Sequence, residues 1–323
     1  MTAPQAAYPG PAVPTVTTVV CTYTDRRWTE LAAGVRAVAA QLRAGDELVV
    51  VVDHNDALLA RVRAELHERA IPNAHAQGLS GARNTGVAAA TGDLVAFLDD
   101  DALPPAGWVD SWRSRFRDDR VIAVGGAVAP DWEGGAAPRW FPPEFGWVVG
   151  CDYTGLPDDG GRIRNPIGAS MALRRSALES VGGFSELVGR VGTLPVGCEE
   201  TELAIRLTRV HRAGLVVRDT TAPVRHLVPR ERQSPTYFLR RCFHEGRSKA
   251  LLSQSVGAGD GLASERTYVS RVLPVGVLRH LAAVARGDAY GLCRAGLIVA
   301  GLVSTAVGYS SVRASVRAPR RTG

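Results

Sequence analysis

Short apolar runs alternate with stretches of helical spacing along the first part of the chain. Each run ends at polar residues or glycine, as buried parallel strands do. The runs cover residues 15–20, 47–52, 93–98 and 121–128. Apolar side chains recur at helical spacing between them, at residues 28–43, 57–70 and 82–90. Because strands that alternate with helices form right-handed βαβ units, this pattern predicts a doubly wound α/β sheet.

Polar residues follow three of these predicted strands at the points where the strands end. Thr22 and Tyr23 follow the first strand, Asp53 follows the second, and an aspartate triplet at 99–101 follows the third. Ligands bind at the carboxyl ends of the strands in sheets of this kind. We therefore expect these side chains to converge on one site.

The second half of the chain resumes the alternation after an insertion. Residues 130–164 are rich in Trp, Pro, Gly and Asp, which indicates a loop-rich segment beside a site. The elements predicted after it are an apolar segment at 165–173, helices at 174–181 and 199–212, a strand at 215–217 and a basic amphipathic helix at 237–253.

The composition is that of an ordinary globular protein, with 46% hydrophobic and 22% charged residues among 323. The five cysteines are scattered, without a CxxC pair or a zinc spacing, and their odd number argues against a disulfide framework. Residues 1–14 lack the basic start and apolar core of a signal peptide. We therefore expect a cytoplasmic protein with a disordered leader at residues 1–14.

Positive charge is concentrated at the C-terminal end, where residues 265–323 hold nine arginines and two acids. Residues 295–312 carry no charge, and this length is at the short edge for a membrane span. One interpretation is membrane contact, through a helix that lies on the inner face of the cell membrane or through a hairpin with residues 272–285. The alternative is a helical pair packed on the rest of the chain or on the partner of a homodimer. Nucleic acid is not expected as a partner, because the tail lacks interleaved aromatic residues.

The aspartate triplet carries the clearest chemistry. Asp99, Asp100 and Asp101 repel one another at the end of a buried strand, unless a cation lies between them. A divalent metal with a bound diphosphate would meet that need, whereas a solvated acidic turn is the plain alternative. The upstream sequence GLSGARNTG contains Arg83, which can reach a phosphate or orient an aspartate. It is not a P-loop, because no GK[ST] follows.

The ordered motifs VVCTYTDR, VVVVDHND, GLSGARNTG, AFLDDDALP, GASMALRRSALESVGGF and GCEETELAIRL resemble those of glycosyltransferase family 2. The resemblance runs from about Thr15 to about His226. It implies an α/β fold of the GT-A type, a Rossmann-like nucleotide-diphospho-sugar transferase fold with a mostly parallel central sheet. It also implies an inverting enzyme that uses a nucleotide-sugar donor.

The resemblance assigns the donor side of the site to specific residues. Thr22 and Tyr23 would line the pocket for the donor base, and Asp53 would hydrogen-bond that base. Asp99 would hold the ribose, as the first residue of the family's DxD motif.

The same motif gives Asp100 to the donor-binding set as well. Asp101 would bind Mg²⁺ or Mn²⁺, and Arg83 would lie near the diphosphate. His226 matches a histidine that often supplies a further metal ligand in this fold.

The acidic cluster at 199–202 matches the family's catalytic motif, in which Glu200 falls on the general base. Glu200 replaces the usual aspartate, and its extra methylene moves the carboxylate outward by about 1.5 Å. Glu199 and Glu202 are candidates for the acceptor side of the site. The plain alternative is a helix start, where acidic residues are favoured by the helix dipole.

The resemblance also divides the chain into domains. Residues 15–230 would form the catalytic domain, with a nucleotide-sugar half at 15–128 and an acceptor half at 129–230. Residues 231–323 would form a basic helical extension that associates with the membrane under the first interpretation of the tail.

The identities of the substrates are less constrained than the reaction. A UDP-sugar is the expected donor, as the commonest one in the family, and the acceptor is a lipid-linked glycan or a small-molecule natural product. Two other functions remain open: a non-catalytic sugar-nucleotide-binding or scaffold protein, and a sugar nucleotidyltransferase. The latter usually needs a Gly-rich loop with a basic residue after the first strand, and none follows here.

Overall fold

The computed structural model describes residues 13–186, 197–257 and 263–317. The leader expected at residues 1–14 lies outside this range except for its last two residues. The elements of the first half are β1 (Val16–Thr22), α1 (Trp28–Ala39), β2 (Glu47–Val52), α2 (Asp56–Glu65), β3 (Arg69–Pro72), α3 (Leu79–Ala89) and β4 (Leu94–Asp99).

The next segment completes the sheet. Its elements are β5 (Ala102–Leu103), α4 (Trp108–Arg115), β6 (Val121–Trp132), β7 (Ser170–Arg174), α5 (Arg175–Ser180), α6 (Glu199–Val210) and β8 (Leu215–Val228). Helices follow at the C-terminal end: α7 (Pro235–Val256), α8 (Ala263–Thr267), a π-helical turn (Tyr268–Val272), α9 (Leu273–Ala285) and α10 (Tyr290–Arg317).

Eight strands form one sheet in the order β3-β2-β1-β4-β7-β6-β8-β5. The pairs β1–β2, β2–β3, β1–β4 and β6–β8 are parallel, whereas β7 runs antiparallel to both of its neighbours and β5 runs antiparallel to β8. The predicted α/β fold with a mostly parallel sheet and a C-terminal helical extension is therefore confirmed.

The strand register brings the polar strand ends together, as the sequence predicts. Thr22 is paired with Val52, the residue before Asp53, and Cys21 is paired with Asp99. Parallel neighbours in register end at the same edge of a sheet. The carboxyl ends of β1, β2 and β4 therefore meet at one edge.

The sheet separates two apolar cores. Side chains alternate along β4, where Leu94 and Leu98 contact the core that includes Trp108, while Val95 and Phe97 contact the core on the opposite face. Alternation of this kind is the period of a β-strand, and burial on both faces explains why the predicted strands are continuous apolar runs.

Two predicted element boundaries are wrong. The helix expected at 57–70 ends at Glu65, because His67 takes a left-handed conformation (φ 57°), and the chain then enters the edge strand β3. The strand expected at 215–217 is only the start of β8, which continues to Val228 beside β6. Long-range pairing determines both outcomes, and local periodicity carries no signal for it.

The C-terminal helices pack on the rest of the chain through a buried carboxylate. Glu144 is fully buried, and it accepts hydrogen bonds from Arg279 Nη2 at 2.7 Å and from His280 Nε2 at 3.2 Å. The Tyr268 hydroxyl donates to the Glu144 carbonyl at 2.6 Å. A buried charge is tolerated only when it is paired, so these contacts anchor α9 firmly.

Helices α7 and α10 approach so closely that glycine is required between them. A Cβ at Gly246 would lie 1.9 Å from the Thr305 carbonyl oxygen, and a Cβ at Gly308 would lie 2.0 Å from the Phe243 carbonyl oxygen. Small residues at such crossings allow backbones to come into direct contact.

We expect Gly246→Ala to lower the free energy of unfolding by about 1–3 kcal/mol, because the added methyl overpacks the α7–α10 contact. Gly296→Ala is the control, since Gly296 lies in α10 with no atom within 4 Å of the added Cβ. Removal of a helical glycine there should leave the protein as stable or more stable. Urea unfolding followed by circular dichroism measures both variants, and equal midpoints would contradict the close contact.

Candidate active site

The aspartate triplet lies at the centre of the strand-end cluster. Asp99 ends β4, and Asp101 precedes β5, whose residue Ala102 is paired with His226 on β8. This pairing places His226 Nε2 3.0 Å from Asp101 Oδ1. The aspartate and the histidine are both buried, so their contact is fixed by backbone pairing and is shielded from water.

Asp99, Asp101 and His226 together fit a divalent cation. One ligand atom from each lies within 4.8 Å of the others. Two carboxylates and an imidazole are ligands that Mn²⁺ and related cations accept. Asp99 keeps about a third of its side chain exposed, so the cluster is open to solvent on the Asp99 side, whereas Asp101 and His226 are buried.

Two arginines that the sequence analysis did not select also reach the triplet. Arg27 Nη1 lies 2.6 Å from Asp100 Oδ1 and 3.2 Å from Asp101 Oδ2, and Arg232 Nη2 lies 3.6 Å from Asp101 Oδ2. Arg27 comes shortly after the end of β1, one residue beyond the VVCTYTDR motif, and no local pattern distinguishes it from Arg26. Arg232 follows β8, and no local pattern marks it.

The ionisation of the triplet reflects these neighbours. Burial alone would raise the pKa of Asp101, but His226 and Arg27 hold it well below its usual range. Burial alone would lower the pKa of His226, but the adjacent Asp101 carboxylate raises it to about 10. Burial raises the pKa of Asp100 to about 6, with Arg27 opposing the rise. The two adjacent aspartates are thus electrostatically distinct.

The predicted base-side residues lie next to this cluster. Thr22 is buried, and its hydroxyl donates to Asp100 Oδ2 at 2.8 Å, whereas 39% of Tyr23 is exposed. Asp53 Oδ2 accepts a hydrogen bond from the backbone N–H of Gly78 at 3.0 Å. Its other oxygen lies 2.7 Å from Asn73 Nδ2, so Asp53 ties the end of β2 to the turn before α3.

Arg83 links the triplet to the acidic cluster of α6. It is buried, with Nη1 2.9 Å from Glu200 Oε1 and 3.6 Å from Glu199 Oε1, and with Nη2 3.6 Å from Asp99 Oδ1. The Arg83 guanidinium carbon lies over the Phe184 ring, 5.3 Å from its centroid, in a cation–π contact. Burial alone would lower the pKa of Arg83, but the surrounding carboxylates, Glu200 foremost, raise it.

The three glutamates at the start of α6 have different surroundings. Glu199 is buried, whereas the Glu200 side chain is 16% exposed. Glu202 accepts hydrogen bonds on both oxygens from Arg206, each at 2.7 Å. A Cβ at Gly168 would lie 2.0 Å from Glu200 Oε1, so the absence of a side chain there makes room for the Glu200 carboxylate.

A cysteine and a glycine lie behind the metal-ligand candidate. Cys151 is fully buried, and its Sγ lies 3.7 Å from His226 Nδ1, while a Cβ at Gly150 would lie 3.3 Å from His226 Cε1. The second nitrogen of a ligating histidine is usually held by a neighbour that fixes the ring. Neither residue carried a sequence signal, because both lie in the irregular insertion.

The structure brings the polar residues after β1, β2 and β4 together with His226, and Arg83 links them to Glu199 and Glu200, whereas Glu202 pairs with Arg206. The mixed sheet, the aspartates after β4 and the acidic start of α6 define a sugar transferase of the GT-A type. The chain belongs to glycosyl transferase family 2, whose model matches residues 17–182. It is therefore a glycosyltransferase, and the resemblance inferred from the motifs is confirmed.

Known proteins similar to the chain agree with this assignment. The glucosyl-dolichyl phosphate glucuronosyltransferase of Haloferax volcanii is 32% identical over 242 residues, which cover 73% of this chain and 77% of that protein. The structure of the mannosyltransferase PcManGT from Pyrobaculum calidifontis, in complex with GDP-Man and Mn²⁺, matches with a TM-score of 0.58 and 18% identity, over 93% of this chain and 88% of that one. GalNAc-T7, solved with UDP, GalNAc and Mn²⁺, matches with a TM-score of 0.50 and 15% identity, over 79% of this chain and 54% of that one.

We expect Arg83→Met to lower the free energy of unfolding by about 3–5 kcal/mol, because it leaves buried carboxylates without their cation. Arg120→Met is the control, since Arg120 pairs with Asp118 at 2.8 Å on the exposed surface. Exposed ion pairs contribute little, so the control should keep the wild-type midpoint in urea. If both variants unfold at the same midpoint, Arg83 is not the cation that stabilises this cluster.

Proposed function

We propose that the protein transfers a sugar from a UDP-sugar to an acceptor hydroxyl, with inversion at the anomeric carbon and in dependence on Mn²⁺ or Mg²⁺. The observation that carries the proposal is the convergence of Asp99, Asp101 and His226 beside the pair formed by buried Arg83 and partly exposed Glu200. It joins a cation site to a carboxylate that can accept a proton. PcManGT was solved with GDP-Man and Mn²⁺ and GalNAc-T7 with UDP, GalNAc and Mn²⁺, which supports a nucleotide-sugar donor and Mn²⁺ as the metal.

The donor would lie along the strand-end edge of the sheet. Its base would contact Thr22, Tyr23 and Asp53, and its ribose would contact Asp99 with Asp100 close by. The base-side residues lie on β1 and β2, and the aspartates follow β4, so a nucleotide extended along this edge meets them in that order.

The diphosphate would then lie against the metal-ligand candidates Asp101 and His226. A bound Mn²⁺ or Mg²⁺ would stabilise the negative charge of the departing diphosphate. Arg83 adds a fixed positive charge, because its Nη2 lies 3.6 Å from Asp99 Oδ1. Preorganised charge of this kind needs no rearrangement as the leaving group departs.

Glu200 is the proposed general base. It would take the proton of the acceptor hydroxyl as that oxygen forms a bond to the anomeric carbon, while the bond to the diphosphate oxygen breaks on the opposite face. Its exposure and its contact with Arg83 support this role, because the carboxylate is both accessible and held in place. Glu199 is more buried and Glu202 is held by Arg206, and their place on the acceptor side remains a prediction.

We further propose a lipid-linked acceptor, with the protein cytoplasmic and peripheral on the inner face of the membrane. The Haloferax volcanii relative, named for a dolichyl phosphate substrate, supports this class of acceptor. Within the described residues, the segment Tyr290–Val312 is long and apolar enough to cross a membrane by length and composition alone. A small-molecule acceptor and a homodimer are the alternatives, and vesicle flotation and light scattering, described below, separate membrane binding from dimerisation.

We expect calorimetry to detect binding of UDP-sugars in the presence of Mn²⁺, with much weaker binding in its absence, because the metal links the diphosphate to Asp101 and His226. Asp101→Asn should abolish the increase in UDP-sugar affinity that Mn²⁺ produces in the wild type. Asp119→Asn is the control, since Asp119 is fully exposed and lies away from the site. A preference for GDP- or dTDP-sugars would replace UDP in the proposal, and failure to bind any donor would overturn the proposed function.

We expect Glu200→Gln to lower kcat by about 10²- to 10⁴-fold while leaving donor affinity near the wild-type value, because the amide cannot accept the proton. Glu200→Asp should retain part of the activity, since it keeps the carboxylate. Glu179→Gln, on the exposed surface, is the control. Unchanged turnover in Glu200→Gln would assign the base to another residue, and retention of the anomeric configuration, followed by NMR, would contradict inversion.

A further inference from the structure

Helices α9 and α10 expose apolar side chains where a soluble protein would present polar ones. The exposed stripe on α10 follows helical spacing through Leu292, Val299, Val303 and Val307, which are 52–63% exposed. On α9 the stripe consists of Val275, Leu278 and Leu281, which are 43–66% exposed. Each helix also has a buried face, with Gly276 and His280 on α9 and Ala295 and Ile298 on α10. We call the seven exposed residues the apolar stripes.

We propose that the apolar stripes lie in the surface of an anionic lipid bilayer, with α9 and α10 parallel to the membrane plane. This surface would hold the active site at the membrane. The membrane contact itself is independent of the proposed function, whereas the statement that the acceptor is taken from that membrane rests on it. Exposed apolar surface on amphipathic helices marks an interaction site.

The charge around the stripes favours an anionic bilayer over a second protein copy. Between residues 268 and 317 the sequence has six arginines and one acid. Arg271 and Arg286 are exposed on α9 and its approach, Arg279 is half exposed and pairs with Glu144, and the single acid in this stretch, Asp288, is paired with Arg294. Two copies that met through these stripes would bring like charges together, whereas anionic headgroups would neutralise them.

The packing of α10 on α7 excludes a transmembrane orientation. The Ser304 hydroxyl donates to the Leu239 carbonyl at 2.8 Å, and Gly246 and Gly308 hold the two helices in contact. If α10 crossed the bilayer, α7 would have to enter it as well. The charged residues along that part of α7 are Arg240, Arg241, Glu245, Arg247 and Lys249. Their burial in hydrocarbon would be costly, so α10 lies along the membrane and does not span it.

The same helices are in direct contact with the segment that adjoins the active site. A Cβ at Gly276 of α9 would lie 2.3 Å from Glu144 Oε1, and a Cβ at Gly301 of α10 would lie 2.7 Å from the ring of Phe145. The segment Pro143–Val149 leads directly to Gly150, which backs His226. The buried faces of α9 and α10 are therefore in contact with the segment that leads to the metal-ligand candidate His226, so a bilayer against the stripes would lie on the far side of these helices from that segment.

The full-length protein is tested by flotation with vesicles of phosphatidylcholine alone and of phosphatidylcholine with phosphatidylglycerol. We expect the wild type to float with the anionic vesicles, and to float less at high salt because screening weakens the attraction of the arginines. Leu278→Glu and Val303→Glu, one on each helix, should each lower the bound fraction about tenfold or more, since a carboxylate opposes insertion and repels the headgroups.

Val210→Glu is the matched control, because Val210 is 57% exposed at the end of α6, outside the stripes, and should not alter flotation. Thermal unfolding of each variant shows whether it is folded. Donor binding with Mn²⁺, measured on the same samples without vesicles, separates the two proposals: loss of flotation with donor binding intact is the expected result for the stripe variants. Flotation without donor binding in the wild type would contradict the proposed function and leave the surface standing.

Three results would overturn the membrane surface. The first is that the wild type does not float with anionic vesicles. The second is that the folded stripe variants float as well as the wild type does. In the third, light scattering would show a wild-type dimer that does not bind vesicles and that Val303→Glu dissociates, which would assign the stripes to a second copy of the chain.

Discussion

Repulsion among carboxylates crowded at one edge of the sheet is the constraint on which the site depends. The carboxylates concerned are Asp99, Asp100, Asp101, Glu199 and Glu200. They are tolerated because buried or half-buried cations stand between them, with Arg83 on the α6 side and Arg27 on the β1 side. Arg83 contacts both Asp99 and Glu200, so the donor side and the proposed base are held by one guanidinium. A change in the charge of Asp99 or of Glu200 therefore alters the electrostatic environment of the other carboxylate through Arg83.

Backbone pairing supplies the precision that this charge balance requires. His226 is far from Asp101 in sequence, but the pairing of β5 with β8 places it opposite Ala102, and the Leu227 N–H donates to the Asp101 carbonyl at 2.9 Å. Groups held by strands are positioned more accurately than groups held by loops. The candidate metal ligands are thus fixed by the sheet itself, and Gly150 and Cys151 close the space behind the imidazole.

Much of this arrangement follows from the sequence, because buried parallel strands and the residues at their ends leave a local signal. The ends of β1, β2 and β4 are predicted for that reason, helical spacing predicts α6, and the family motifs add the role of its acidic start and His226. The full length of β8, the edge strand β3 and the roles of Arg27, Arg232 and Cys151 were not predicted. They depend on which strands pair and which loops fold back, and neither is encoded in local periodicity.

The C-terminal helices belong to the same physical unit as the site. Buried Glu144 has lost its hydration, and its hydrogen bonds with Arg279 and His280 of α9 compensate for that loss. Removal of α9 would therefore leave an unpaired buried charge in the segment that leads to Gly150. The insertion between β6 and β7 therefore has two supports, β8 on one side and the helical pair on the other. These buried contacts fix the position of the C-terminal helices relative to the sheet edge that carries the candidate site. Whatever binds their outer face is held at a fixed orientation to His226 and the proposed base.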